Sequence, residues 1–171
     1  MELFKIKSSI DERANALTYQ ISLVSTAFSG YIVKNYQLSH QKHLRLVLIS
    51  TAQQVHLIDR LLFINNFENR KAIIHRIFIG QARMIAGLWP QFYEQGSLEF
   101  FSDKQLEYQQ YNEITEKNDI NYPRRTLLWE FGEEIALNSN IQQNHQIIMI
   151  TMGTYKFYYI NNAEIMDFII A

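Results

Sequence analysis

NFENRKAIIHRIFIGQARMIAGL, residues Asn66–Leu88, is the stretch whose reading decides the fold. Phe67, Ile74, Ile77, Phe78, Gln81, Ile85 and Leu88 recur at helical spacing, so the segment is predicted to be an amphipathic helix with one broad inward stripe. On its back, Arg76 and Gly80 recur seven residues later as Arg83 and Gly87. An interior glycine costs a helix about 1 kcal/mol relative to alanine. Close approach of another backbone would offset that cost, whether the neighbour is a helix, a second subunit or a phosphate chain. Gly80 and Gly87 are therefore candidate subunit contacts, and Arg76 and Arg83 candidate phosphate contacts.

Working outward, the two preceding segments read the same way. Ser9 and Glu12 form a capping box, and Ile10, Ala14, Leu17, Ile21, Val24, Phe28 and Tyr31 make the inward stripe of a first helix ending near Tyr36. Asn15, Ser22, Thr26 and Ser29 fill its other side. Leu38-Ser39 is a turn and cap before a second helix, His40–Ile64, with Leu44, Val47, Leu48, Thr51, Val55, Ile58 and Leu62 inward. Opposite that stripe lie Lys42, Arg45, Ile49, Gln53, His56 and Arg60, within ~80° of one another and over ~27 Å of axis. A polar, basic line of that length suits a nucleic-acid backbone; a plainly solvated face would look the same.

After Trp89-Pro90 the pattern weakens. Ser102 can cap a helix over Asp103–Lys117 with Leu106, Tyr111 and Ile114 inward, so residues 94–122 read as a peripheral insertion. Pro123 suits a helix start, followed by Leu127, Leu128, Phe131 and Ile135 on one face. His145–Ile160 is ambiguous between a buried helix and a hairpin about Met152-Gly153-Thr154; the helix fits the rest of the chain better. Asn161 and Glu164 cap a short terminal helix. The expected architecture is all-α, a single-domain bundle of five to six helices spanning residues 1–171.

Composition narrows the function. The 171 residues are 47% hydrophobic and 19% charged, which excludes a disordered chain. With no cysteine, disulfides, thiolate zinc sites and a cysteine nucleophile are excluded. Phosphate-cradling glycine loops, nucleophile elbows and paired metal-binding histidines are missing, so no metal and no cofactor is expected. No apolar run approaches the ~20 residues of a membrane span, and the expected location is cytoplasmic with no membrane partner. Charge is segregated: from Lys34 to Pro90 eight Lys/Arg stand against Asp59 and Glu68, a balance of +6. From Glu94 to Asp119 seven acids stand against Lys104 and Lys117, a balance of −5. Different partners for the two regions would explain this, as would two solvated faces of one domain.

Two resemblances bear on function. Arg70-Lys-Ala-Ile-Ile-His75 resembles the short motif of HEPN-type ribonucleases, which implies a metal-independent RNA cleavage with His75 acting on ribose or leaving oxygen and Arg70 stabilising the phosphorane. A helix turns ~140° over five residues, so these two side chains converge only if the first turn is irregular or a second chain contributes. The succession Leu38-Ser39 with Leu44–Leu48, then Arg76–Arg83, then Tyr155–Tyr158 is similar to the helical motifs of small subunits of type III CRISPR effector complexes. That resemblance implies a non-catalytic antiviral-defence subunit lying beside the guide–target duplex, with Arg45, Arg76 and Arg83 facing nucleic acid. The leading expectation is a helical subunit binding RNA or single-stranded nucleic acid through its backbone, together with other protein subunits. Its candidate contacts are Lys42, Arg45, His56, Arg60, Arg76 and Arg83. The alternatives are the Arg70/His75 ribonuclease and a dimerising or partner-binding module.

Overall fold

A computed structural model describes residues 9–90, 94–111 and 126–139, and within them the chain is an all-α bundle. Five helices follow one another: α1 (Ile10–Tyr36), α2 (His40–Ile64), α3 (Arg70–Leu88), α4 (Glu94–Tyr108) and α5 (Leu127–Asn138). The expected helix start at Pro123, the helix or hairpin at 145–160 and the cap at Asn161 lie outside the described residues.

The helix ends follow local chemistry. Ser9 Oγ accepts from the Glu12 N–H while the Glu12 carboxylate accepts from the Ser9 N–H, the reciprocal cap read from the sequence. Ser39 caps α2 through the Lys42 N–H, and Thr126 caps α5 through the Trp129 N–H. α1 stops where Gln37 turns left-handed at φ 50°, allowing Leu38 N–H to reach back to Val33 O. Asn66 also adopts a left-handed φ, 51°, a conformation asparagine tolerates better than most residues. It breaks the chain after α2, so α3 begins at Arg70 and not at Asn66.

α2 is the axis of the bundle. Every residue from Leu46 to Ile58 is buried, because α1, α3, α4 and α5 all pack on it. It is the one described helix long and apolar enough, by length and composition, to cross a membrane; 72% of that window is buried inside the bundle, as in a core helix. Two apolar clusters meet along it. One holds Ala14, Leu17, Ile21, Val55, Ile58, Leu62, Ile73, Ile74 and Ile77 between the first three helices. The other brings Phe28, Ile32, Leu46, Ile49 and Leu57 against Phe101, Tyr108, Leu127, Phe131 and Ile135.

Three expectations are corrected here. In α1 the inward stripe ends on Ile32 (0% exposed), while Tyr31 is 43% exposed and Ser25 and Ser29 are buried. A strict 3.5-residue repeat drifts ~20° per heptad around a 3.6-residue helix, and by residue 31 it has rotated out of the core. In α4, Ser102 lies inside the helix and does not cap it, and Leu106 is 67% exposed. Ser97, Phe101, Gln105 and Tyr108 face inward instead, so residues 94–108 contribute core side chains and are not a peripheral excursion.

Gly80 has an internal explanation. A Cβ there would lie 2.9 Å from both Thr18 Cγ2 and Thr18 Oγ1, so the glycine lets α1 and α3 approach closely. Gly87 is different, with nothing within 4 Å of an added Cβ. Gly80→Val should therefore lose about 1–3 kcal/mol through overpacking. Gly87→Ala should gain up to about 1 kcal/mol from helix propensity. Chemical denaturation of the two variants checks the contrast; equal losses in both would contradict it.

Candidate functional site

The basic line read along α2 does not reach the surface as a line. Ile49, Gln53 and His56 sit at its middle and are 0–1% exposed, covered by the helices packed around α2. Lys42 and Arg45 remain at the start of the helix, where Lys42 Nζ donates to Ser139 O at 3.1 Å and ties α2 to the end of α5. Arg60 remains near the other end, half-buried.

His56 is withdrawn from any backbone contact by a specific polar arrangement. Gln105 of α4 donates its amide to Ala52 O at 3.3 Å, which points its carbonyl oxygen at His56 Nδ1, 2.9 Å away. A carbonyl can only accept, so Nδ1 carries the proton and Nε2 is left as an acceptor. Nε2 is buried and has no hydrogen-bond partner among the described residues. Tyr108 meets the imidazole edge-on, with centroids 5.6 Å apart.

One helical turn further, the same end of α2 opens to solvent. Asp59 holds Arg70 bidentately, Oδ1 to Nε at 2.6 Å and Oδ2 to Nη2 at 2.7 Å. The Arg70 guanidinium also lies 4.9 Å from the centroid of Phe63, whose side chain is 64% exposed. His56, Asp59, Arg60, Phe63, Arg70 and Gln109 line an open cleft of about 320 Å³. A second groove of about 420 Å³ wraps the start of α3 between Leu62 and Ala72, sharing Phe63 and Arg70 with the first and adding Lys71. No ion pair reaches Arg60 or Lys71 among the described residues. Burial lowers the pKa of the Arg60 guanidinium from its ordinary value. The shared aromatic between two grooves, in which Arg60, Arg70 and Lys71 stand beside Asp59 and Glu68, was not picked out from the sequence; its one signal is that Phe63 and Ile64 end α2 as apolar residues beside Asn65-Asn66.

The Arg70/His75 pair does not assemble. Arg70 is locked onto Asp59, while His75 is exposed further around α3. Arg76 and Arg83 do lie on the exposed face of α3, but each has an acidic neighbour: Asp11 of α1 for Arg76 and Glu94 of α4 for Arg83. The segregated charges thus meet within the chain at Arg83–Glu94. Gly80 turns toward α1, so it is not part of an outward subunit contact with Gly87. Among the described residues no group of three or more His, Asp or Glu could hold a metal ion.

Comparison with known proteins finds no match: no family model, no curated protein and no solved structure is similar to the chain. The functional reading rests on the geometry.

Burial is the largest cause holding the His56 pKa below the ordinary 6.5; Arg60 and Arg70 add to it, while Gln105 and Asp59 oppose it. The unfolded chain then takes up a proton before the folded chain does. Stability from this group is complete above pH 6.5 and is lost as pH falls through the lower folded value. Melting temperature should drop between about pH 7 and 5, and His56→Gln should flatten part of that drop. His43, whose pKa burial also lowers, contributes in the same direction. An unchanged pH profile in the variant would remove His56 from this role.

Proposed function

We propose that the protein is a non-catalytic helical subunit that binds single-stranded nucleic acid through its backbone, without base-edge readout. The observation that carries the reading is Phe63, an exposed aromatic shared by two grooves that also present Arg60, Arg70 and Lys71. A flat ring beside cationic side chains is the combination that binds single strands: bases stack on the ring and phosphates meet the charge. Lys71 leads from the grooves onto the exposed face of α3, where His75, Arg76 and Arg83 follow over ~18 Å of axis. α3 carries no acidic residue of its own. The ion pairs to Asp11 and Glu94 are solvent-exposed, contribute little to stability, and can be exchanged for phosphate oxygens.

The motif resemblance to small subunits of type III CRISPR effectors is in keeping with this reading and would add neighbouring subunits as partners. It implies contacts at Arg45, Arg76 and Arg83, whereas the grooves put the main contacts at the end of α2 and the start of α3. The ribonuclease alternative draws no support from the arrangement of Arg70 and His75.

Fluorescence anisotropy with a labelled uridine-rich oligonucleotide tests the proposal. Phe63→Ala should weaken binding about 5- to 150-fold while leaving the salt dependence unchanged, since stacking is worth ~1–3 kcal/mol per base. Arg60→Ala and Lys71→Ala should each flatten the salt slope by roughly 0.7. Arg45→Ala should change neither quantity. Binding that is undetectable at low salt, or insensitive to all of these changes, would dispose of the reading.

A further inference from the structure

Among the described residues, the bundle buries one side of α1 against α2 and α3 and leaves the other uncovered. That outer side is unusual in having no charge between Arg13 and Lys34. Solvated helix faces ordinarily carry charged residues, and an exposed apolar strip on a folded domain marks a contact surface. The strip runs Glu12, Ala16, Tyr19, Leu23, Ala27, Gly30, Lys34. Tyr19 is 60% exposed and Leu23 54%; Gly30 is half-buried, and a Cβ added there would meet nothing within 4 Å. Over the 22 residue steps from Glu12 to Lys34 the line drifts only ~40° around a 3.6-residue helix and extends ~33 Å, so it is one nearly straight face.

Its order is palindromic. The spacings are 4, 3, 4, 4, 3, 4 about Leu23. Placed antiparallel to an identical helix on a two-fold axis through Leu23, each position meets the one that completes it. Glu12 faces Lys34, Ala16 faces Gly30, Tyr19 faces Ala27, and Leu23 faces itself. Large residues meet small ones, and the Ala–Gly crossings allow the axes to reach the close end of the ~8–10 Å range for packed helices. The two ends become Glu–Lys ion pairs, and the helix dipoles oppose. A parallel arrangement would instead set Glu12 against Glu12 and Lys34 against Lys34.

We infer that the outer face of α1 pairs with the same face of a second copy of this chain, antiparallel about a two-fold axis at Leu23. The charge complementarity of Glu12 and Lys34 favours that partner: this sequence running the other way supplies both matches, with Glu12 Oε1 left for Lys34 while Oε2 accepts the Ser9 N–H of the helix cap. A footprint ~33 Å long and one helix diameter (~10 Å) wide is smaller than the ~800 Å² per partner of a standard interface. The dimer is accordingly reversible and depends on concentration. This inference does not rest on nucleic-acid binding.

Sedimentation velocity on the full chain across a wide concentration series should show monomer passing to dimer. Leu23→Arg places two like charges on the axis and should abolish the dimer with an unchanged circular dichroism spectrum, since Leu23 is exposed. Geometry is read by cross-linking, because the chain contains no cysteine. With a short thiol cross-linker, Leu23→Cys should give covalent dimer and Ala16→Cys alone should not. A mixture of Ala16→Cys and Gly30→Cys chains should cross-link. A monomer at every concentration, or a dimer indifferent to Leu23→Arg, overturns the inference. Cross-linking of Ala16→Cys alone as efficient as that of Leu23→Cys would overturn the antiparallel arrangement.

Discussion

Complete enclosure of α2 is the constraint on which the rest of the structure depends. A helix whose thirteen consecutive residues Leu46–Ile58 are all buried needs neighbours on every side, and four helices supply them. Enclosure gives the bundle most of its apolar contact, at roughly 25 cal/mol per Å² removed from water. It also traps Ser50, Gln53, Gln54 and His56 in a setting where polar atoms need partners. Gln105 answers part of that demand by satisfying both His56 and the Ala52 carbonyl. The packing of α4 therefore depends on a polar match as much as on Phe101 and Tyr108.

Electrostatics divides the surface in a way total charge does not reveal. Arginines on the outer face of α3 lean on acids from α1 and α4, which mutes the positive field there. Lys104 is held between Glu107 and Glu134, at 2.8 and 2.6 Å, and joins α4 to α5. Tyr108 Oη donates to the same Glu134 at 3.0 Å. Arg60 and Lys71, with no ion pair among the described residues, instead flank the Asp59–Arg70 pair at the end of α2 and the start of α3, next to an exposed phenylalanine. Position relative to acids, more than the number of cations, distinguishes the candidate site.

The all-α class and the extents of α1 and α2 were legible because caps and periodicity are local: Ser9, Ser39 and Asn65-Asn66 mark ends that the backbone obeys. What lay beyond reach depended on neighbours. His56 and Gln53 look like members of a solvated basic line until α4 is placed over them. Gly80 looks like a subunit contact until Thr18 is found beside it. Ser102 satisfies the sequence rule for a cap, yet the core demand of Phe101 and Tyr108 extends the helix past it. Arg70 could be flagged as functional from its motif, but its partner is Asp59, eleven residues back across a turn.

The polar stretch inside α2 also bears on what it takes to close the bundle. Seating α4 over α2 strips water from Gln53 and His56, and Gln105 returns one hydrogen bond, to the His56 Nδ1–H. A proton added at Nε2 would be a charge enclosed with no hydrogen-bond partner among the described residues. Acid therefore acts on the seam between α2 and α4, away from the helix caps that hold the ends of α1 and α2.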